Sequence, residues 1–538
     1  MISSRFNAEG LNKKCGDIVN IIIALALSML RMFLALFLSI LVAYLAGIPM
    51  GRNEKVEKIL YPIIDVLQSV PILGFFPLII LLFVNNLPGW LGPELASIFL
   101  IFTSQSWNLI IGVYSAVKVI PQEIIDMANI YKLSTVAKIF KIYIPYSKQA
   151  LARNILISWA GGLFFLTASE VITLGSTNYE LTGIGTYIQM AADSNNFSLV
   201  FIGTFILMIT SVLIYVLFLN PFFNSAAGEG KESFKGLSVD ILYEKLTSFF
   251  SPLVSKIVDG LIIINGKINS KISLHTQSRN YKFIASFLLL AFLSVIILFN
   301  IYSIIEIPKA IENYIAETFQ ASLILNGIEG LLISTARVVL VMMLGLIFLI
   351  LISYYLYEKP TIYRSIFTLA GEVLASMPSI LWWPIFLLLI ERGFPPLLVS
   401  FFIIFQGSIW YIFFNVFLTG IGPIEKNLME MSRIYKIRGI YKLFYIYIPM
   451  ISPYLVAGLS AGWGGAWNAD IVAEYASIGT NLITFFGIGY LISLSTYSGN
   501  MLALSTYVFL LVMFIIIVNR TVWAFMYSYI KKKYHVID

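Results

Sequence analysis

Several charged residues lie inside long apolar segments of the 538-residue chain, where an isolated charge is energetically expensive, and five of them are candidates for pairing or for anion binding. Arg31 and Arg337 are basic, whereas Glu170, Asp470 and Glu474 are acidic. A buried guanidinium can bind an anion, or it can pair with a carboxylate. We expect Arg31 to pair with Glu170 and Arg337 with Glu474, and we leave open a direct role for these groups in anion binding.

A second group of candidate residues lies in a polar segment of twenty residues that occurs twice, 304 positions apart. Residues 126–145 read DMANIYKLSTVAKIFKIYIP and residues 430–449 read EMSRIYKIRGIYKLFYIYIP, with ten identical positions and no gap. Pro145 and Pro449 end the two copies, and proline is well tolerated in the first turn of a helix. We expect each copy to connect a polar loop to the start of an apolar helix.

The composition predicts a protein with many membrane-spanning helices, because 59% of the residues are apolar and only 12% are charged. Eleven apolar runs approach or exceed the roughly 20 residues that a helix needs to cross a bilayer. A break in the first run would give twelve helices. The runs lie near 19–48, 59–87, 95–117, 147–172, 198–220, 281–303, 328–357, 365–391, 396–420, 451–476 and 500–525.

Lysine and arginine are distributed unequally between the two sets of connecting segments, and the basic set is predicted to be cytoplasmic. Both copies of the repeated segment and the C-terminal Lys531–Lys533 fall in the basic set, whereas 173–197 and 477–499 contain no lysine or arginine. The chain is therefore predicted to be a multi-pass protein of the plasma membrane with an external N-terminus. Its net charge of +7 is explained by this topology and requires no nucleic-acid partner.

Several classes of chemistry are disfavoured by what the chain contains. Cys15 is its only cysteine, and His275 and His535 are its only histidines, so a thiolate cluster, a two-histidine metal site and a nucleophile–histidine pair are not expected. The single Gly230-Lys231 pair lacks the rest of a phosphate-binding loop. We expect no metal, no cofactor and no catalytic residue in this chain.

The repeat extends beyond the twenty-residue segment. At the same offset, Trp159 matches Trp463 and Glu170 matches Glu474, and Gly183-Ile184-Gly185 matches Gly487-Ile488-Gly489. The sequence therefore predicts an all-α protein of two tandem homologous bundles, with about five helices in the first and six in the second, related by a pseudo-twofold axis along the membrane normal. The predicted divisions are a first half (1–221), a cytoplasmic linker with amphipathic helices (222–280) and a second half (281–538).

The repeated segment resembles the EAA loop of type I ABC importer permeases, E-A-A-x3-G-x9-I-x-L-P. The matching positions are Asp126, Met127, Ala128, Lys132, Ile142 and Pro145 in one copy, and Glu430, Met431, Ser432, Lys436, Ile446 and Pro449 in the other. The resemblance implies two short helices that dock into an ABC ATPase subunit. Lysine stands at 132 and 436 where the family has the glycine of the turn, so we expect these loops to turn without a left-handed glycine.

The flanking residues resemble the nitrate, sulfonate and taurine permeases of that superfamily, through Trp463 to Glu474 and Gly487-Ile488-Gly489. The resemblance implies a permease for a small anion that works with two ATPase subunits and an extracytoplasmic solute-binding protein. Iron or thiamine remains possible as the solute. An ion-coupled secondary transporter is the alternative class, although it does not explain why the polar loop is the best-preserved part of the repeat.

Prolines at matched positions are expected to interrupt helices. Pro71 and Pro77 in the first half correspond to Pro378 and Pro384 in the second, and such breaks can line a pathway or serve packing alone. For the arginines, a further alternative to pairing is that both extend to the outer headgroups of the bilayer.

Overall fold

A computed structural model of the chain describes residues 14–214 and 321–534 with several gaps. The predicted linker (222–280) and the predicted span at 281–303 lie outside the described residues, as do Pro378 and Glu430. The gaps are 70, 175–176, 195, 358, 360–362, 364–365, 368–369, 372–373, 375–381, 421–430, 433 and 479–480.

The first half is a run of helices interrupted by one small antiparallel hairpin. Its elements are α1 (Lys14–Arg52), α2 (Glu54–Ser69), α3 (Ile72–Asn86), α4 (Leu91–Lys118), α5 (Gln122–Ile130), α6 (Thr135–Lys138), α7 (Ile144–Glu170), β1 (Val171–Leu174), β2 (Thr177–Glu180), α8 (Ile184–Asp193) and α9 (Phe197–Ile214).

The described part of the second half repeats this order from a long first helix to a hairpin and two helices, and it adds a third helix after these two. Its elements are α10 (Ala321–Tyr357), α11 (Trp382–Glu391), α12 (Pro396–Phe414), α13 (Gly439–Lys442), α14 (Ile448–Glu474), β3 (Tyr475–Ile478), β4 (Asn481–Thr484), α15 (Ile488–Ser498), α16 (Met501–Val518) and α17 (Ala524–Tyr534).

The protein is an all-α, multi-pass membrane protein. Within the described residues, six helical segments are long and apolar enough to cross a bilayer, and two shorter apolar helices lie at 72–84 and 198–211. Helix α7 adds 27 residues, which at 1.5 Å per residue is about 40 Å. The six long segments are 20–52, 91–118, 322–357, 396–417, 439–474 and 501–530.

The prediction of one continuous span at 59–87 is wrong. The structure divides this run into α2 and α3, and Pro71 is the N-cap of α3. Proline has no amide to continue the helical hydrogen bonds, and it disfavours helical geometry at the residue before it. Pro77, by contrast, lies inside α3, and Pro384 lies inside α11, so neither ends its helix.

The centre of each half is built from three helices, α1, α4 and α7 in the first and α10, α12 and α14 in the second. In each half, an asparagine on or just after one of the second and third helices packs on a glycine of the other, so the two helices lie close together. Asn154 of α7 packs on Gly112 of α4, whereas in the second half Asn415, just after α12, packs on Gly458 of α14. Each asparagine fills the space that its glycine partner leaves.

The break between α2 and α3 also forms a contact between the halves. Helix α3 packs against α14, α15 and α16, and the Leu73 N–H donates to Asn468 Oδ1 at 3.2 Å. Gly74 lies against Leu511. The helix broken by Pro71 therefore presents its first turn to the opposite half.

Candidate functional site

The first repeated loop turns through a residue in the left-handed conformation, and that residue is Lys132 (φ 51°). The Lys132 N–H donates to the carbonyl of Asn129, and the Leu133 N–H donates to the carbonyl of Ala128, both at 2.9 Å. These bonds define a Schellman motif that closes α5, a motif usually completed by glycine. The Ser134 side chain then accepts from the Ala137 N–H and begins α6.

The second loop repeats this geometry. Lys436 has φ 54°, and the Ile437 N–H donates to the carbonyl of Ser432 at 2.9 Å. Arg438 replaces the capping serine and has no side-chain cap, and Gly439 (φ 60°) opens α13 instead. The left-handed turn is thus kept in both loops without glycine at the turn position.

Glycine at these two positions should stabilise the turns. A residue other than glycine in the left-handed conformation costs roughly 1–2 kcal/mol, which a glycine would avoid. Part of this gain is lost because glycine has more conformational freedom in the unfolded chain. We expect Lys132→Gly and Lys436→Gly each to raise the free energy of unfolding by about 0.5–1 kcal/mol, measured by thermal or denaturant unfolding in detergent. Lys132→Val is the matched control, and it should destabilise. A loss of stability in the glycine variants would show that the lysine side chains themselves hold the turns.

Each loop joins its long helix through a π-helical turn. The turns are Ile139–Tyr143 before α7 and Leu443–Tyr447 before α14, and Pro145 and Pro449 follow within the first two helical positions. A proline ring clashes with the carbonyl four residues earlier in a regular helix, and a wider turn relieves that clash. The loop is therefore continuous with the helix after it and is not hinged by a flexible linker.

The two loops expose similar side chains at four aligned positions. Ile130 and Ile434 are 76% and 75% exposed, and Tyr131 and Tyr435 are 69% and 70% exposed. Ala128 and Ser432 are buried beneath them. We call this set the shared loop surface; it consists of Met127, Ile130, Tyr131 and Lys132 in the first loop and Met431, Ile434, Tyr435 and Lys436 in the second.

The remaining predicted loop residues have ordinary environments. Asp126 is exposed and accepts a hydrogen bond from Gln122 Nε2 at 3.0 Å. Ile142 and Ile446 are half-buried in the π-helical turns. Thus the aligned acidic residue of the first loop lies on the surface.

Hydrogen bonds connect α5 of the first loop, and the end of α4 that precedes it, to the neighbouring helices α1 and α2. Arg52 Nη2 donates to Gln122 Oε1 at 3.2 Å. Glu57 Oε1 accepts from Lys118 Nζ at 2.6 Å and from the Tyr114 hydroxyl at 2.7 Å. The hydrogen bond from Lys118, and then that from Tyr114, lower the pKa of Glu57, so its carboxylate stays charged at neutral pH. Sequence reasoning missed this cluster because its residues look like ordinary surface charges.

At the opposite end of the first half, the structure brings Arg31 and Glu170 together. Arg31 Nη1 donates to Glu170 Oε1 at 2.9 Å, and Arg31 Nε and Nη2 bind the two oxygens of Glu94 at 2.8 and 2.7 Å. Glu170 is fully buried, whereas the Glu94 side chain is 27% exposed. Glu94 lies in the first turn of α4, where an acidic residue is common, so the sequence did not single it out.

Glu170 also caps a helix that follows it. Its Oε2 accepts from the Gly185 N–H at 2.7 Å, and Ser28 Oγ, which donates to Oε1, accepts from the Ile184 N–H at 2.9 Å. These amides open α8, where unpaired N–H groups favour a negative charge. Glu170 therefore fastens α1, α7 and α8 together.

The glycines of the repeated Gly-Ile-Gly motif make room for this carboxylate. A Cβ at Gly183 would overlap the carboxyl group of Glu170, and a Cβ at Gly487 would overlap that of Glu474. Gly183 has an extended backbone, so space and not backbone conformation requires glycine there. The motif that the sequence showed twice is a steric complement of the two glutamates.

The second half contains a related cluster with one difference. Arg337 Nη1 lies 2.7 Å from Glu474 Oε1 and 3.1 Å from Asp470 Oδ1, and Nη2 donates to the carbonyl of Phe486 at 3.0 Å. Ser334 Oγ donates to Glu474 Oε1 and accepts from the Ile488 N–H, repeating the role of Ser28. Both carboxylates beside Arg337 are buried.

Residues 19–223 match a family described as the binding-protein-dependent transport system inner membrane component. The chain is 28% identical over 158 residues to the bicarbonate transport system permease protein CmpB of Synechocystis sp., covering 29% of this chain and 52% of that protein. It is 29% identical over 158 residues to the nitrate import permease protein NrtB of Leptolyngbya laminosa, with the same coverage of 29% and 52%.

A third relative is the taurine transport system permease protein TauC of Escherichia coli, which is 28% identical over 170 residues, covering 31% of this chain and 57% of that protein. The chain spans about half the length of the curated relatives it matches. No solved structure is significantly similar to the chain.

Proposed function

We propose that the chain, whose residues 19–223 match the family of binding-protein-dependent transport system inner membrane components, is the permease subunit of an ATP-driven importer. The permease provides the path through the membrane and is not itself an enzyme. ATP hydrolysis takes place in two separate ATPase subunits, and an extracytoplasmic binding protein delivers the solute.

The shared loop surface is the observation that carries this proposal. Isoleucine and tyrosine side chains with three quarters of their surface exposed are unusual on a polar loop, and aromatic residues are enriched where proteins bind one another. The same side chains have the same exposure in both loops, so the two loops offer one surface twice. A pair of related ATPase subunits would fit that arrangement, with one loop docked in each.

The attachment of the loops supports a lever mechanism. In the first half, α5 is bonded to α1 through Arg52 and Gln122, and the π-helical turn continues into α7. When ATP draws the two ATPase subunits together, the docked loops move with them and rock the two halves. The Arg31 cluster, at the other end of the same helices, holds α1, α7 and α8 together during that motion.

The transported solute is proposed to be a small anion. Relatives of the chain are named for bicarbonate, nitrate and taurine transport, and each of these solutes carries an anionic group. Arg31 and Arg337 each contact two carboxylates, so we assign both a structural role and not anion binding. The contact between α3 and α14, at Leu73 and Asn468, is the proposed location of the path, because irregular backbone inside a membrane is tolerated where it lines a cavity.

Reconstitution tests the proposal. The chain is co-expressed with candidate ATPase subunits and binding proteins from the same genome and placed in liposomes, and uptake of labelled bicarbonate, nitrate, taurine, iron and thiamine is measured. We expect uptake of one of the anions that requires ATP and the binding protein. Uptake driven by an ion gradient without ATPase subunits would contradict the proposal, and ATP-driven uptake of iron or thiamine alone would refute the anion assignment.

A further inference from the structure

The cluster around Arg337 contains one positive charge and two carboxyl groups, all shielded from water. The side chain of Asp470 is 1% exposed and that of Glu474 is 0% exposed, while that of Arg337 is 8% exposed. With both carboxyl groups ionised, the cluster would carry a net negative charge in a place from which water is excluded. A buried net charge of this kind is strongly disfavoured.

The first half avoids this problem by placing its second carboxylate elsewhere. At the position equivalent to Asp470 it has Leu166, which is buried, and its second acidic residue is Glu94, which remains partly exposed on α4. The second half has Leu397 where the first has Glu94. The two halves therefore have the same number of carboxyl groups per arginine, but only the second half buries both.

The hydrogen bonds within the second cluster are unequal. Glu474 accepts from Arg337 and Ser334 on Oε1 and from the Tyr490 N–H on Oε2 at 3.0 Å. Asp470 accepts from Arg337 through Oδ1 alone, and its Oδ2 is buried with no hydrogen-bond partner among the described residues. Asp470 and Glu474 lie one turn apart on α14, and both contact Arg337 Nη1, at 3.1 and 2.7 Å, so their carboxyl groups are neighbours. An ionised Asp470 would leave a charged oxygen without a partner, whereas a protonated Asp470 would not.

We propose that Asp470 and Glu474 form a proton-binding site in which one proton, carried by Asp470, is shared with the Glu474 carboxylate. The neutral acid, the carboxylate and the guanidinium then sum to zero charge. Among the described residues, Arg337 of α10 and Glu474 of its own helix are the charged groups that face Asp470. The Phe486 carbonyl, just before α15, accepts from Arg337, and the Tyr490 amide, in the first turn of α15, donates to Glu474. The ligand of this site is a proton taken from water.

A dependence of stability on pH follows from this assignment. In the unfolded chain both carboxyl groups are ionised at neutral pH, so the folded state holds one more proton and unfolding releases it. The free energy of unfolding therefore falls as the pH rises from about 4, the ordinary pKa of an aspartate, until the folded protein releases the proton. Asp470→Asn keeps the shape and removes the titration, so its stability should change less with pH than that of the natural chain.

Infrared spectroscopy of the purified chain in lipid nanodiscs tests the proposal directly. A protonated carboxylic acid has a carbonyl stretch separate from that of carboxylates, and it shifts when water is replaced by heavy water. We expect this band at neutral pH in the natural chain and its loss in both Asp470→Asn and Glu474→Gln, because either variant leaves a single carboxylate to balance the charge of Arg337. Glu94→Gln, in the first half, is the matched control and should leave the band unchanged.

Two results would overturn the assignment. One is a spectrum of Asp470→Asn that is identical to that of the natural chain in the carboxylic acid region. The other is the absence of an acid band together with a thermal stability that rises with added sodium, since the pair would then hold a metal cation. If Asp470→Asn does not fold, the Glu474→Gln spectrum and the pH dependence of thermal unfolding in the natural chain decide the question, and a pH-independent stability would contradict the proposal.

Discussion

Aspartate in place of both Ile130 and Ile434 should abolish ATP-driven uptake while the chain still folds in the membrane. Both side chains are about three quarters exposed, so a charge there costs the isolated chain little. At a docked interface, however, an apolar anchor replaced by a charge costs about 2 kcal/mol or more, which is roughly a thirtyfold loss of affinity at each loop. Losing both loops should leave no stable complex with the ATPase subunits.

Co-purification of the ATPase subunits and uptake into liposomes measure this effect. Trp90→Asp is the matched control, because Trp90 is 65% exposed and lies just before α4, at the far end of that helix from the loop. The control should retain the ATPase subunits. A double variant that still binds them with unchanged affinity would show that the shared loop surface is not the docking site.

A single methyl group at Gly183 or Gly487 should unfold the end of its half. The added Cβ would occupy the position of the Glu170 or Glu474 carboxyl group, which must then leave its arginine and its helix cap. Breaking a buried ion pair typically costs about 3–5 kcal/mol, and overpacking adds further strain. We expect Gly183→Ala and Gly487→Ala to lower the thermal unfolding temperature strongly and to reduce the yield of folded protein.

Gly161→Ala provides the control for these variants. A Cβ at Gly161 would meet only the Ser104 carbonyl at 3.6 Å and the Tyr411 hydroxyl at 3.8 Å, which are ordinary contact distances. That variant should unfold at nearly the natural temperature. Equal stability of the Gly183 and Gly161 variants would mean that the Glu170 carboxyl group can move aside, and that the cluster contributes little to the fold.

The sequence predicted the features that depend on pattern and repetition. Apolar runs identify membrane helices because their length is set by the bilayer, and the all-α, multi-pass fold follows from them. The repeated Ile-Tyr-Lys and Gly-Ile-Gly motifs marked the loop and the two glutamates because both copies preserve them. The assignment of the loops to ATPase docking remains a proposal.

Other features depend on three-dimensional neighbours that sequence does not reveal. Glu94 binds Arg31 although the two residues are 63 positions apart in the sequence. An acidic residue is common in the first turn of a helix, so the presence of Glu94 there did not indicate a buried partner. The left-handed conformation of Lys132 was not expected from the sequence, because a lysine side chain is strained there. The two hydrogen bonds of the Schellman motif around Lys132 offset that strain. The hairpin after α7 consists of strands of only four residues, too short to give a recognisable alternation.

The exchanged glycine and asparagine between neighbouring helices limit how the two halves can be recombined. If only the end of α12 and the Asn415 that follows it replaced the Gly112 region of α4, Asn415 would face Asn154. The reverse exchange would leave two glycines facing each other over a void. Helices α4 and α7 therefore have to be exchanged together, and so do α12 and α14. Chimeras of this chain should fold when crossover points fall between these units and fail when they fall within one.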